Sequence, residues 1–269
     1  NYNRFEIEAA AGQAITDAFD APRQPDAHRS GASVSWRVHL RSTDAYIGLR
    51  LLPTPLHRRD YRAEAYKGSL HPPVAAAMAL LAGLHPDTIL LDPCCGSGTV
   101  GLEAAHLQNR LLPLASDISP TAVSQARRSA IRASVPLAAY LADAGRLPLT
   151  YRAVDRVCTN VPWGRTVPPS GSLHGDDRPF WDEIRRVSHS ESRIVVLAED
   201  DEFANTWNQP RDFSVLLQRR ISMRGRWSTL SVFSLDSHSD PAPIDPWGLW
   251  GEELIEMWQR YATDAEPLP

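Results

Sequence analysis

Thr88-Ile89-Leu90-Leu91-Asp92-Pro93-Cys94-Cys95-Gly96-Ser97-Gly98-Thr99-Val100-Gly101 is the stretch on which the architecture turns. A short apolar run, Thr88 to Leu91, ends in an acid and a proline and so reads as a buried strand. A glycine turn follows, and the apolar spacing from Val100 to Gln108 reads as a helix. Working outward, the same alternation continues in both directions. Pro72-Pro73 opens a helix that runs through Val74 to Leu84. Downstream come a strand at Leu112 to Ser116 and a helix at Pro120 to Ala133 with Ser119 as its cap. Strands are expected at Ala138 to Ala142, Val154 to Thr159 and Arg193 to Ala198, with a helix at Phe180 to Val187 and a shorter one after Glu199. Phe213 to Ile221 and Thr229 to Leu235 read as a terminal hairpin. Seven strands alternating with helices imply an α/β fold: a mostly parallel sheet covered on both faces, with ligands bound beyond the carboxyl ends of its strands.

The glycine turn carries the first chemical reading. Gly96, Gly98 and Gly101 satisfy G-x-G-x-x-G literally, so a dinucleotide is one candidate ligand. Asp92 argues for a different one. A carboxylate at the strand end suits the ammonium group of S-adenosyl-L-methionine and would repel a pyrophosphate. Asp117 ends the next strand, where an acid accepts hydrogen bonds from ribose hydroxyls in either cofactor. Asp143 follows the third strand and is expected to accept from the adenine amino group, with the Ala144 N–H donating to the ring. Cys94, Gly96, Gly98 and Thr99 in the turn, Ile118 beside Asp117, and Asn160 complete the predicted cofactor-binding set. The reading is a Rossmann-like domain for S-adenosylmethionine.

Asn160-Val161-Pro162-Trp163, directly after the fourth strand, carries the second reading and supplies the predicted catalytic residues. It resembles the motif of the amino-methyltransferases, an Asn or Asp followed by prolines and an aromatic. The lone pair of an amino group on a heteroaromatic ring is delocalised into that ring. Acceptors at the Asn160 side chain and the Val161 carbonyl favour a pyramidal nitrogen with its lone pair free. Pro162 stiffens the turn, and Trp163 is expected to stack on the ring and aim the nitrogen at the sulfonium methyl.

Three segments narrow the resemblance. They are His57-Arg58-Arg59-Asp60-Tyr61-Arg62, then Gly68-Ser69-Leu70-His71-Pro72-Pro73-Val74-Ala75-Ala76-Ala77-Met78, then Asp92 to Thr99. In that order they resemble the THUMP-associated RNA methyltransferases, which make N2-methylguanosine in tRNA or rRNA. The resemblance spans roughly residues 45 to 235. It implies a class I methyltransferase fold with a small α+β N-terminal unit, and an RNA substrate gripped in part by Arg58, Arg59 and Arg62. Three positions depart from the family pattern. Val161 replaces the usual second proline, Cys94 stands where a bulky aromatic is frequent, and residues 1–62 are too few for a complete THUMP domain.

The expected organisation is a THUMP-like remnant or lid at 1–62, the methyltransferase domain at 63–239 and a Trp-rich tail at 240–269. In the first unit, Glu6 to Phe19 reads as a helix, Ala21 to Ala32 as a loop and Ser33 to Leu52 as one or two strands. In the tail, Trp247, Trp250 and Trp258 suggest an amphipathic helix. A net charge of −4 does not advertise a nucleic-acid binder, yet the basic residues are almost all arginine, with local clusters at His57-Arg58-Arg59 with Arg62 and Lys67 and at Arg219-Arg220 with Arg224 and Arg226. A small-molecule amine therefore stays open as the alternative acceptor to RNA. Three cysteines at 94, 95 and 158 make neither a disulfide framework nor a zinc site, so no metal is expected. No charged-then-apolar leader and no apolar run of membrane-spanning length is legible in these residues, and a cytoplasmic location is the expectation.

Overall fold

The computed structural model describes residues 3–19, 35–41, 44–50, 55, 57–62, 68–162, 167–199, 212–223 and 226–235. Its chain divides into two units, Asn1–Arg58 and Arg59–Pro269. In the first unit, α1 (Arg4–Phe19) begins where Asn3 Oδ1 accepts the N–H groups of Phe5 and Glu6, a side-chain cap on two otherwise unpaired donors. β1 (Ser35–Arg41) and β2 (Asp44–Arg50) pair antiparallel, with Trp36 opposite Leu49 and Val38 opposite Ile47.

The second unit holds one seven-stranded sheet. Its strands are β3 (Ile89–Asp92), β4 (Leu112–Asp117), β5 (Ala138–Leu141), β6 (Val154–Asn160), β7 (Ser188–Glu199), β8 (Ser214–Met223) and β9 (Arg226–Ser234). They lie in the order β5-β4-β3-β6-β7-β9-β8. The first five neighbours run parallel, and β9 runs antiparallel to both β7 and β8. This is the mostly parallel Rossmann-like sheet that the alternating pattern predicts.

Among the described residues, four helices flank the sheet: α2 (Pro72–Ala82), α3 (Thr99–Leu107), α4 (Pro120–Ala133) and α5 (Arg178–Val187). The central strands are apolar on both faces, and their side chains part by period two. Leu91, Val157, Ile194, Val196 and Phe233 pack with Phe180, Trp181, Ile184 and Val187 of α5. Leu90, Cys158, Val195, Leu197 and Val232 pack with Ala75, Met78, Ala79 and Ala82 of α2. A one-residue slip would swap these two sets between the α5 and α2 faces; both stay buried, but each misfitted site would cost about 1–3 kcal/mol in overpacking or voids. The register is thereby fixed, and with it the strand ends. Arg193 Nη1 and Arg156 Nε donate to the Leu81 and Gly83 carbonyls, placing positive charge at the carboxyl end of α2.

Ser119 caps α4 as the sequence suggests, its Oγ accepting the Ala122 N–H. β7 is longer than its apolar core Arg193 to Ala198, because it begins at Ser188 directly after α5. Ser192 Oγ supports that extra length by donating to the Val154 carbonyl on β6. A 3-10 turn at Gly171–Leu173 was not legible in advance. The loop expected at 21–32, the helix expected after Glu199 and the Trp-rich tail lie outside the described residues. Among the described residues, no helix is long and apolar enough to cross a membrane.

Candidate active site

Strand order decides which side chains can meet. The chain steps from β3 to β4 to β5 on one side, then returns to lay β6 on the other side of β3. The carboxyl ends of β5, β4, β3 and β6 therefore stand side by side, carrying Asp143, Asp117, Asp92 and Asn160 in that spatial order. A cleft of about 840 Å³ opens there, within the roughly 300–1,000 Å³ usual for small-molecule sites.

Asp92 lies at the cleft wall with only 1% of its surface exposed. Its Oδ1 accepts from Thr159 Oγ1 at 2.8 Å, across the gap between β3 and β6, and from the Cys94 N–H at 3.2 Å. Burial pushes its carboxyl up to about 7; the two hydrogen bonds oppose that rise and the nearby Asp117 charge adds to it. A buried carboxylate so arranged is complementary to a cationic ligand group. Thr159 carries no motif signal, and only the pairing of β3 with β6 reveals its part. Burial, with Asp92 next, also pushes the Cys94 and Cys158 thiols well up, so neither is a thiolate nucleophile.

The glycine turn is built for close approach. Gly96 and Gly98 have φ of 52° and 80°, values that favour glycine. A Cβ on Gly98 would press on Leu137 and Ala126, so this glycine serves packing, and it does not line the cleft. The other predicted cofactor residues, Asp92, Cys94, Gly96, Thr99, Asp117, Ile118, Asp143, Ala144 and Asn160, all do. Asp117 accepts the Gly96 N–H through Oδ2 and the Ser119 N–H through Oδ1, both at 2.9 Å. Each oxygen keeps a lone pair for a further donor.

Asp143 accepts the Gly145 N–H through Oδ1, and the Ser172 N–H and Oγ–H through Oδ2. Burial raises this carboxyl, but those three bonds together hold it below the usual carboxylate range. Gly171, with φ of 62°, brings the 171–173 turn against Asp143 and Ile118. The turn thereby supplies Ser170 and Leu173 to the wall. The wall thus sets two half-buried carboxylates, Asp143 and Asp117, beside the fully buried Asp92, an arrangement suited to a ligand that brings both hydroxyls and a cation.

At the β6 end, Asn160, Val161 and Pro162 line the cleft. The Val161 side chain is buried in the core and its N–H donates to the Leu197 carbonyl at 3.1 Å, which ties the motif to β7. The departure from the usual second proline thus retains rigidity by burial and a strand-like hydrogen bond. Trp163 lies outside the described residues.

The arginines of segment 57–62 separate. Arg58 is exposed. Arg59, expected from the sequence to meet RNA phosphate, is paired within the protein. Its Nε and Nη2 donate to Glu103 Oε1 and Oε2 at 2.8 and 3.0 Å, while Tyr61 Oη donates to Glu103 Oε1 at 2.6 Å. Glu103 is buried in α3, so Arg59 neutralises a charge that would otherwise be stranded. No local pattern links positions so far apart in the chain. Arg59→Ala is expected to cost about 1–3 kcal/mol of folding stability by denaturant titration, the range for leaving a charged hydrogen-bonding group short of its partner. Unchanged stability would return Arg59 to the surface. Arg62 lines the cleft and donates from Nη2 to Ser69 Oγ.

The comparisons with known proteins agree with this geometry. The profile of the RMKL-like methyltransferase domain matches residues 59–229. The tRNA (guanine(6)-N2)-methyltransferase of Thermus thermophilus is 35% identical over 182 residues, covering 67% of this chain and 52% of the relative. The U6 snRNA (guanine-N(2))-methyltransferase THUMPD2 of Bos taurus is 29% identical over 168 residues, covering 61% of this chain and 32% of the relative. The crystal structure of TrmN from Thermus thermophilus matches with a TM-score of 0.62 at 28% identity, covering 87% of this chain and 68% of that one. The chain spans about half the length of the first relative and about a third of the second. The matched residues include every wall of the cleft, from Arg62 to Met223, and the chain belongs to the family of S-adenosylmethionine-dependent RMKL-like methyltransferase domains.

Proposed function

We propose that this chain methylates the exocyclic N2 of a guanosine in RNA, in tRNA or rRNA. The observation that carries the reading is the placement of Asn160 and the Val161 carbonyl one strand from buried Asp92, in a single cleft. S-adenosylmethionine, when bound, supplies an electrophilic methyl group on a sulfonium. Asp92 would hold its ammonium, Asp117 its ribose, and Ile118, Asp143 and Ala144 its adenine. Asn160 Oδ1 and the Val161 carbonyl would accept the two hydrogens of the acceptor amine and turn its lone pair toward the methyl. Pro162 keeps these acceptors in place, and Trp163 is assigned the stacking role. No strong base is needed, since the proton can leave after methyl transfer.

Both relatives reported above are guanine-N2 methyltransferases of RNA by name, which favours RNA over the small-molecule acceptor. A cytoplasmic location, where its three cysteines would stay reduced, belongs to the same proposal. Phosphate contacts fall to Arg58 and to exposed Arg219 and Arg220 on β8, the strand whose end supplies Ser222 and Met223 to the cleft. RNA affinity should therefore fall steeply with salt, with a log–log slope of roughly 0.7–0.9 per neutralised phosphate. Arg219→Glu with Arg220→Glu should flatten that slope by about one to two units in a filter-binding titration. The reading itself is tested by incubating the protein with labelled methyl donor and a whole-cell extract, before and after RNase. RNase-sensitive label supports it; label confined to an RNase-resistant small molecule would reverse it.

A further inference from the structure

The cleft wall is electrically lopsided. Among its described residues are three carboxylates, Asp92, Asp117 and Asp143, and Arg62 is the one lysine or arginine. S-adenosylmethionine carries an ammonium, a sulfonium and a carboxylate. The acids answer the ammonium and the ribose, but the carboxylate needs a cation or several donors if it is to leave water.

Arg62 is fastened where such a group can be met. Its N–H donates to the Arg59 carbonyl, closing a turn that Arg59 and Tyr61 pin to Glu103 on α3. From that turn Arg62 Nη2 reaches Ser69 Oγ at 2.8 Å. Ser69 Oγ lies 2.8 Å from Ser97 Oγ, which lies 3.2 Å from Thr99 Oγ1. All four residues line the cleft. Ser69 Oγ also lies 3.4 Å from Thr99 Oγ1, so the three hydroxyls form a closed triangle, and its longest link is the one a hydroxyl proton gives up most readily to a ligand oxygen. Ser97 and Thr99 also belong to the turn that Asp92 opens and to the start of α3, whose first N–H groups favour an anion.

We infer that Arg62, with the Ser69, Ser97 and Thr99 hydroxyls, forms the seat of the donor's α-carboxylate, so that Arg62 is a cofactor-binding residue and not a phosphate contact. The inference rests on the reading of the cleft as the S-adenosylmethionine site. Arg62 and Asp92 then hold the two charged groups of one amino acid between them, which fixes the sulfonium relative to Asn160.

Calorimetry with two probes tests it: S-adenosylhomocysteine and its decarboxylated analogue, 5′-(3-aminopropylthio)-5′-deoxyadenosine. The wild-type protein should prefer S-adenosylhomocysteine by on the order of 10- to 100-fold, the value of a charge-assisted contact. Arg62→Gln should lose most of that preference, with affinity for the amine nearly unchanged. Ser69→Ala should show the same selective loss on a smaller scale, about threefold to tenfold. Equal weakening for both ligands would overturn the inference in favour of a packing role. Unchanged S-adenosylhomocysteine affinity with weakened RNA binding would overturn it in favour of a phosphate contact. A wild-type protein that binds both ligands equally would overturn the inference alone, and one that binds neither would overturn the cofactor reading with it.

Discussion

Asn160→Ala is expected to lower turnover about 100-fold, the scale of losing one preorganised polar group at a reacting centre. Affinity for S-adenosylhomocysteine should stay near wild type. The reason is positional. Asn160 ends β6, and the next residue is anchored independently by the Val161 N–H to the Leu197 carbonyl and by a buried side chain. Truncating Asn160 therefore removes an acceptor without releasing the turn that carries it. Single-turnover rates with saturating RNA separate the two effects. A variant retaining more than about half of wild-type turnover would remove Asn160 from the chemistry. One that loses cofactor affinity in parallel would make it a cofactor ligand only.

Asp92→Asn is expected to weaken S-adenosylmethionine binding by ~2–4 kcal/mol, the cost of removing one partner of a buried charged pair. The same change should stabilise the cofactor-free protein. Asparagine is close in shape to aspartate and can still accept from Thr159 and Cys94, but it carries no buried charge. The sign follows from the carboxyl's displacement from 3.8 to about 7. The folded state holds this proton more tightly than the unfolded state. Asp92 therefore leaves stability undisturbed below about pH 4, and stability is lost progressively as the pH rises to about 7. At about 1.4 kcal/mol per unit of displacement, the loss amounts to a few kcal/mol.

Denaturant titrations should accordingly show Asp92→Asn more stable than wild type at pH 8, with the difference closing toward pH 4. Cofactor affinity of the wild-type protein should decline below pH 7, where Asp92 gains its proton and can no longer pair with the ammonium. A variant destabilised at pH 8 would contradict the account of Asp92 as a strained, ligand-directed charge. A pH-independent wild-type affinity would contradict its pairing with the donor.

These two residues were legible in the sequence because each stands at a punctuation mark. Asp92 precedes the glycine turn, and Asn160 opens a turn stiffened by proline. The sheet was legible for a related reason: strands buried on both faces read as continuous apolar runs, and Gly or Pro marks where they end. Thr159 and Glu103 were not legible. Thr159 meets Asp92 only because the chain returns to place β6 beside β3. Glu103 pairs with Arg59 from a helix that the sequence shows merely as apolar at intervals, and that hidden partner made Arg59 look like a free cation. The start of β7 at Ser188 escaped for a different reason. Its first residues are polar, and their pairing is supported by Ser192 through a side-chain bond to β6.

The central claim, methyl transfer to guanosine N2 in RNA, is tested most directly by identifying the modified nucleoside. The protein is incubated with labelled S-adenosylmethionine and tRNA or rRNA lacking the modification, and the RNA is then digested to nucleosides and resolved by mass spectrometry. The expected product is N2-methylguanosine, formed about 100-fold more slowly when Asn160→Ala replaces the wild-type protein. Label in any other nucleoside, or RNA that stays unlabelled while a small molecule is methylated, would contradict the account.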